Sequence, residues 1–312
     1  MKRKEYTPGK YWSHTLGSDL EDCHRRIYYR VYASWGGWSR DSDEASRFLY
    51  TLKVSDNLPT YSGSLVHEAI QAIMQSVRSE RRLGTKEQML ARVEEKMRHE
   101  ILYSQERKWT KLRNPKKATL ILRNHLLGQD LHSTEVDEYI QRAKDSVSAF
   151  MDRFLPKFLE MNKEDILLID SLDSVEHDGY KLFLVPDLVT IRPDKKREVI
   201  DWKTGMNPNV DQIKAYAMHL IEWTRREKSI DLDPGQIIGR SITLLNPDNE
   251  ATVEITQGHI DESMKRIERD IRVLKSLHEE GLKKNEGVFQ KTEHTGYCEY
   301  CIFKSHCDTT PY

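Results

Sequence analysis

Apolar positions recur at helical spacing through most of this chain, and at strand spacing in one block near residues 166–256. Ser18-Asp-Leu-Glu21 is a capping box and predicts a helix start. Leu20, Cys23, Ile27 and Val31 follow it as one stripe. Leu65, Val66, Ala69, Ile70, Ile73, Met74 and Val77 predict a second amphipathic helix over Gly63 to Arg82. From Gly84 to about Leu159 the pattern is helical again. Met89, Leu90, Val93, Met97 and Ile101 form one stripe, and Val136, Ile140, Ala143, Val147, Phe150 and Phe154 another. Ile260, Met264, Ile267, Ile271, Leu274 and Leu277 predict a long closing helix ending at Leu282.

The β-rich block predicts strands over Ile166 to Leu172, Lys181 to Ile191, Glu198 to Trp202, Gln236 to Leu245 and Ala251 to Thr256. Asp178-Gly179 marks a hairpin between Val175 and Lys181. A helix over Asn209 to Arg225, with Ile213, Tyr216, Ala217 and Leu220 inward, interrupts the strands. Strands followed by one packed helix and a further strand indicate a mixed α/β core.

The densest chemistry lies on two of these strands. Asp187 is expected on the first. Asp201 and Lys203 lie on the second, with Trp202 between them, so their side chains share one face. A hairpin would bring Asp187 against that pair. Two carboxylates and an ammonium on one patch suit a divalent metal with a lysine beside a water or phosphate oxygen. A solvated strand face is the plain alternative. His67, at the edge of its helical stripe, reads as a packing histidine or a ligand.

The 312 residues suffice for one large domain or two small ones. Charged residues make up 32% and the net charge is -1, so a nucleic-acid site must be a local basic patch. Arg25, Arg26 and Arg30 lie among Tyr28, Tyr29, Tyr32, Trp35 and Trp38. That mixture suits single-stranded nucleic acid, or a core with a charged outer face. Arg107, Lys108, Trp109, Lys111, Arg113, Lys116 and Lys117 form a second basic run, fit to grip phosphates or to lie solvated in a loop. No apolar run spans a membrane, and Met1-Lys-Arg-Lys-Glu-Tyr6 lacks a signal-peptide core, which places the protein in the cytoplasm. Cys23, Cys298, Cys301 and Cys307 point to a metal site in a reducing compartment, with His24, His294 and His306 near enough to join a zinc site.

Taken together, these elements resemble the RecB-like branch of the PD-(D/E)XK nucleases, and within it the iron–sulfur subgroup. Gly63-Ser-Leu-Val-His67 resembles the G-x-x-x-H helix and Val185-Pro-Asp187 the first acidic motif. Asp201-Trp-Lys-Thr-Gly205 resembles the D/E-x-K motif and Gln212-Ile-Lys-Ala-Tyr216 the Q-x-x-x-Y helix. Cys23 with the C-x2-C-x5-C run Cys298, Cys301, Cys307 completes the order. The chain is longer than compact members of the subgroup and lacks a helicase part.

The resemblance implies a restriction-endonuclease-like α/β core with a large helical insertion and a C-terminal cysteine loop, in one integrated nuclease domain. Residues 1–83 would carry the first helices, 84–159 the insertion, 160–257 the core and 258–312 the closing helix and cysteine loop. It implies a metal-dependent deoxyribonuclease, an exonuclease on single strands or DNA ends. Asp187, Asp201, His67 and the Trp202 backbone carbonyl would hold Mg2+ or Mn2+. Lys203 would orient the water or stabilise the transition state, and Gln212 and Tyr216 would position Lys203 or the DNA. The four cysteines would hold a 4Fe-4S cluster, with Zn2+ as the alternative. Arg25, Arg26, Arg30, Lys108, Lys111, Lys116 and Lys117 are the candidate DNA contacts. A subunit that binds DNA and cleaves only inside a larger DNA-processing or defence complex is the other reading.

Overall fold

The structure is a computed structural model, and it describes residues 8–171, 174–246 and 248–307. The elements run β1 (Tyr11–Ser13), α1 (His14–Asp22), α2 (His24–Ile27), a π-helical turn (Tyr28–Ala33), α3 (Glu44–Lys53) and α4 (Leu58–Arg78). Next come α5 (Lys86–Gln105), 3-10 turns at Lys108–Lys111 and Pro115–Lys117, α6 (Arg123–Leu126), α7 (Ser133–Arg153) and α8 (Leu155–Glu160). The remainder is β2 (Ile166–Ile169), β3 (Val175–His177), β4 (Tyr180–Phe183), β5 (Leu188–Ile191), β6 (Arg197–Lys203), α9 (Val210–Lys228), β7 (Ile237–Thr243), β8 (Ala251–Glu254), α10 (Gln257–Leu282), α11 (Gly296–Glu299) and α12 (Lys304–Cys307).

Among the described residues the strands form two mixed sheets, ordered β2-β5-β6-β7-β8 and β1-β4-β3. In the larger one only β6 and β7 run parallel, joined through α9, as a βαβ crossover requires. β6 is central and buried on both faces, and alternation sorts its residues. Val199 joins the apolar cluster of α9 and α10, while Ile200 and Trp202 join that of α4, α5, α7 and α8. Trp202 is caged by Phe150, Phe154 and Phe158, with ring centroids at 5.2, 5.1 and 6.5 Å. The helical segment 84–159 therefore builds one side of the core around β6.

Two glycines allow close approach. A Cβ at Gly239 would come within 2.0 Å of Ile213, so α9 can lie this close to β7 only over a glycine. A Cβ at Gly63 would stand 3.0 Å from the Thr204 hydroxyl, where α4 crosses the end of β6.

Several boundaries differ from the sequence expectation. The helix expected from Ser18 starts at His14, capped by Ser13, and breaks at Cys23, whose backbone is extended at φ -168°. The second helix starts earlier, at Leu58, because Asn57 caps it and Pro59 suits its first turn. The single strand expected over Lys181 to Ile191 is two strands in two sheets, and Asp187 sits in the bend before β5 rather than on a strand. Pro186 cannot donate to a ladder, which favours that break. β2 ends at Ile169, and Leu172 lies outside the described residues, as does the amino-terminal segment read for targeting. β1 was hidden in a polar stretch and pairs in parallel with β4. The Asp178-Gly179 hairpin forms, with both residues at positive φ.

Candidate active site

α4 and the β5–β6 pair deliver the site. β5 and β6 are antiparallel with Leu188 opposite Ile200, so Asp187 falls beside Asp201 at the carboxyl end of β6. Alternation turns Asp201 and Lys203 away from the Trp202 cage, toward α9. Lys203 Nζ lies 2.7 Å from Asp201 Oδ2 and donates to Gln212 Oε1 at 2.8 Å. Gln212 Nε2 in turn donates to the Tyr216 hydroxyl. Gln212 and Tyr216 are one turn apart on α9, so one helical face holds the lysine. Burial, with Asp201 and Asp187 nearby, keeps the Tyr216 hydroxyl protonated.

Asp187 ties α4 to the sheet. Its Oδ1 lies 3.0 Å from His67 Nδ1, and its Oδ2 accepts the Trp202 backbone N–H at 2.7 Å. Burial lowers the pKa of His67, but the hydrogen bond and charge of Asp187 outweigh it, and the net shift is upward. Asp201 is almost fully buried, and its pKa is pushed up to about 6, by burial first and by Asp187 second. Its Oδ2 lies 2.7 Å from the Lys203 ammonium. A buried carboxylate is costly unless a cation stands beside it, and in the metal-free protein Lys203 is that cation.

The donors suit a hard divalent ion. Two ligands at right angles on an octahedral ion, each about 2.1 Å from it, stand about 3 Å apart. His67 Nδ1 and Asp187 Oδ1 stand 3.0 Å apart but share a hydrogen bond, so a metal binding both would have to displace that proton. Among the described residues no three His, Cys, Asp or Glu side chains are drawn up around one point. Here the third donor, Asp201, is turned to Lys203 instead.

Two residues of this region were not singled out in the sequence. Asp170, at φ 42° just after β2, lines an open cleft of about 490 Å³ with His67, Gly63 and Thr204. Its amide donates to the Asp187 carbonyl, and burial followed by Asp187 raises its pKa. His14 lies near enough to Arg266 and Lys203 that, after burial, both depress its pKa. Neither sits in a recognisable spacing, so only tertiary proximity reveals them.

The cysteines converge from both ends of the chain. Cys23, Cys298, Cys301 and Cys307 are all in the thiol form and line one cavity of about 120 Å³ with Arg25, Arg26, Lys291 and Lys304. That ring of cations would balance thiolate charge. Burial raises the Cys307 pKa, against the pull of Lys291, Tyr29 and Arg25. His306 packs its ring against Tyr29 at 5.1 Å, and His294 against Tyr297 at 5.9 Å.

The candidate DNA contacts divide. Arg25 is paired with Glu286 and donates to the Phe289 carbonyl. Arg26 pairs with Asp19 and Asp22, Arg30 with Asp19, and Lys108 with Glu106. Tyr28, Tyr29 and Tyr32 are core, packed on Phe289 and Phe303, and unavailable to stack on bases. Arg25 and Arg26 thus fasten the first helices to the tail. Lys111, Lys116 and Lys117 remain exposed.

A family model described as the PD-(D/E)XK nuclease superfamily matches residues 11–308. The chain belongs to the PD-(D/E)XK nuclease superfamily. Membership implies a metal-dependent nuclease, and a nuclease of this superfamily would act on DNA, generally with Mg2+ or Mn2+. The mixed α/β architecture with helices on the sheet is consistent with a restriction-endonuclease-like fold. A search of the curated proteins returns no match. Among the described residues no helix is long and apolar enough to cross a membrane.

Proposed function

We propose that this nuclease belongs to the RecB-like branch and its iron–sulfur subgroup, and that it is an exonuclease acting on single-stranded DNA or DNA ends. The observation that carries the reading is the chain of contacts from Asp201 to Lys203, Gln212 and Tyr216, closed on the other side by Asp187 and His67. A structural hairpin has no use for such an array.

In this reading Asp187, Asp201 and His67 hold Mg2+ or Mn2+. Bound there, the metal lowers the pKa of a water and neutralises charge on the phosphate. The protein's own groups do the rest. Gln212 holds the Lys203 ammonium at the mouth of β6, and Tyr216 holds Gln212, so the donor is fixed before substrate arrives. Lys203 then orients the attacking water or hydrogen-bonds the developing oxyanion. The four cysteines suit a 4Fe-4S cluster that joins the chain's two ends, with Zn2+ as the competing occupant. Residues 1–83, 84–159, 160–257 and 258–312 act as parts of one nuclease domain, in the cytoplasm, where thiols stay reduced.

The test is to purify the protein anaerobically, measure iron, zinc and sulfide, and incubate end-labelled single- and double-stranded DNA with Mg2+ or Mn2+. Processive shortening from an end is expected, with four irons per chain. Internal cuts in circular DNA would replace the exonuclease reading, and stoichiometric zinc would replace the cluster.

A further inference from the structure

A second basic site stands apart from the metal-ligand residues. Lys53 ends α3, and the chain then runs through Ser55 and Asp56 into α4, the helix of His67. Arg123, at the start of α6, reaches back to the Ser55 carbonyl at 3.4 Å, and its Nε is buried without a hydrogen-bond partner. Asp56 and Leu122 form a parallel bridge that fixes these segments side by side. Arg47 of α3 donates to the Leu112 and Arg113 carbonyls, which draws the Pro115–Lys117 turn onto the same helix. Arg30 approaches from the π-helical turn, its guanidinium 5.9 Å from the Phe303 ring.

Arg30, Lys53, Lys116 and Arg123 therefore meet where the first helices, the inserted segment and the cysteine loop adjoin. Two carboxylates face them: Asp19 pairs with Arg30, and Asp56 lies near Arg123. Among the described residues Lys53 and the Lys116 side chain have no acidic partner. Burial, then Arg30 and Lys116, bring the Lys53 pKa down to about 8. Folding has thus gathered four cations against two carboxylates, at a cost in like-charge repulsion.

We propose that this cluster grips the phosphate backbone of the strand whose scissile phosphate lies in the His67 cleft, so that the inserted segment takes part in substrate binding. Ser55 and Asp56 join Lys53 directly to the helix that carries the cleft. The cleft is lined by Pro59, Thr60, Gly63, Ser64 and His67 of α4, and the cluster adjoins the amino end of that helix. Leu58 to His67 spans about 13 Å at a rise of about 1.5 Å per residue. That is the reach of roughly four stacked nucleotides at about 3.4 Å each. The positive end of the helix dipole adds to the same field. A phosphodiester strand is favoured over an acidic peptide because the nuclease reading places a diester beside His67, one helix away from the cluster. The inference rests on the nuclease reading, and its test keeps the two apart.

The test compares full-length protein with Lys53→Gln plus Lys116→Gln. Three quantities are measured: binding of a labelled twenty-nucleotide oligo-dT in Ca2+ over a KCl series, Mn2+-dependent hydrolysis of bis(p-nitrophenyl) phosphate, and melting temperature. The double variant is expected to bind oligo-dT roughly tenfold more weakly, with a salt slope smaller by about 1.4, or about 0.7 per lost phosphate contact. Small-diester hydrolysis should be unchanged and the melting temperature unchanged or higher. Unchanged oligonucleotide affinity and slope would overturn the inference while leaving the nuclease reading intact. A lowered melting temperature with equal loss on both substrates would make the cluster structural. Wild-type protein that binds polyglutamate as tightly as oligo-dT would overturn the assignment to nucleic acid. Wild-type protein that hydrolyses neither bis(p-nitrophenyl) phosphate nor the oligo-dT when Mn2+ replaces Ca2+ would instead sink the nuclease reading.

Discussion

His67 and Asp187, 120 positions apart in sequence, meet at 3.0 Å and tie α4 to the β5–β6 pair. The contact has two consequences. It fixes which histidine nitrogen faces the carboxylate, and it holds a proton that a metal binding both atoms would have to displace.

His67→Ala should therefore weaken metal binding more than the fold. A Mn2+ titration followed by calorimetry should show affinity lowered by about 10- to 100-fold. Normal Mn2+ affinity together with a large loss of thermal stability would assign His67 to packing.

Asp187 has a double role, so its two substitutions should differ. Asp187→Asn keeps an acceptor for the Trp202 N–H and should melt near wild type, while cleavage falls by roughly 10³-fold or more. Asp187→Ala should lose activity equally and, with the N–H unsatisfied, about 1–3 kcal/mol of stability as well. Equal melting of the two variants would mean that the hydrogen bond contributes nothing.

Asp201 sets a pH threshold. Its pKa is raised to about 6 in the metal-free protein, so below that pH a metal must displace a proton. Mn2+ affinity should fall about tenfold per pH unit below about 6, and proton release should accompany binding. For a carboxyl raised from 3.8, the contribution to stability is complete below pH 3.8 and lost as pH rises through about 6. Metal affinity that is flat from pH 5 to 7 would contradict this assignment.

At the other end of β6, Glu198 is fully buried among Lys157 at 2.9 Å, Arg240 at 3.2 Å and Arg192 at 3.6 Å. Burial raises its pKa, but Lys157 and Arg240 outweigh that and hold it below 4.5. Its contribution is therefore present above pH 4.5 and lost as pH falls below it. Glu198→Ala should cost about 3 kcal/mol at neutral pH, read by urea unfolding, with catalysis per folded molecule unchanged. A cost below about 1 kcal/mol would show that the cations simply rehydrate.

On the proposed iron–sulfur reading, Cys23→Ala should give protein without iron or brown colour and lower the melting temperature by roughly 5–10 °C. The tail should still be held in part, because Arg25 donates to the Phe289 carbonyl and Arg26 to that of Tyr297. Cleavage after about Leu282 by a protease should become faster, though the first helices stay docked. A Cys23 variant that keeps its iron would assign the fourth ligand to another residue, with His294 and His306 the nearest in sequence.

Much of the site was legible from spacing. Asp201 and Lys203 share a face because strands alternate, and Gln212 and Tyr216 share one because helices repeat. Both rules are local and survive without a structure. Asp170 and His14 were not legible, since neither belongs to a periodic pattern. Composition does not reveal which acid each cation will meet. Arg25 and Arg26 find Glu286, Asp19 and Asp22, whereas Lys53 and Lys116 find no acid among the described residues.

The sequence by itself determined the helical segments, the βαβ unit around α9, the D-x-K and Q-x-x-x-Y faces, and the clustered cysteine pattern of the tail. These follow from backbone periodicity and turn chemistry, which act over a few residues. Only the tertiary structure decided that Lys181 to Ile191 splits between two sheets, that the 84–159 segment cages Trp202, and that Cys23 breaks a helix to face the tail's thiols. It also decided that four cations of different segments share one place. Such outcomes depend on which distant surfaces are buried together, and long-range burial leaves no periodic mark on the chain.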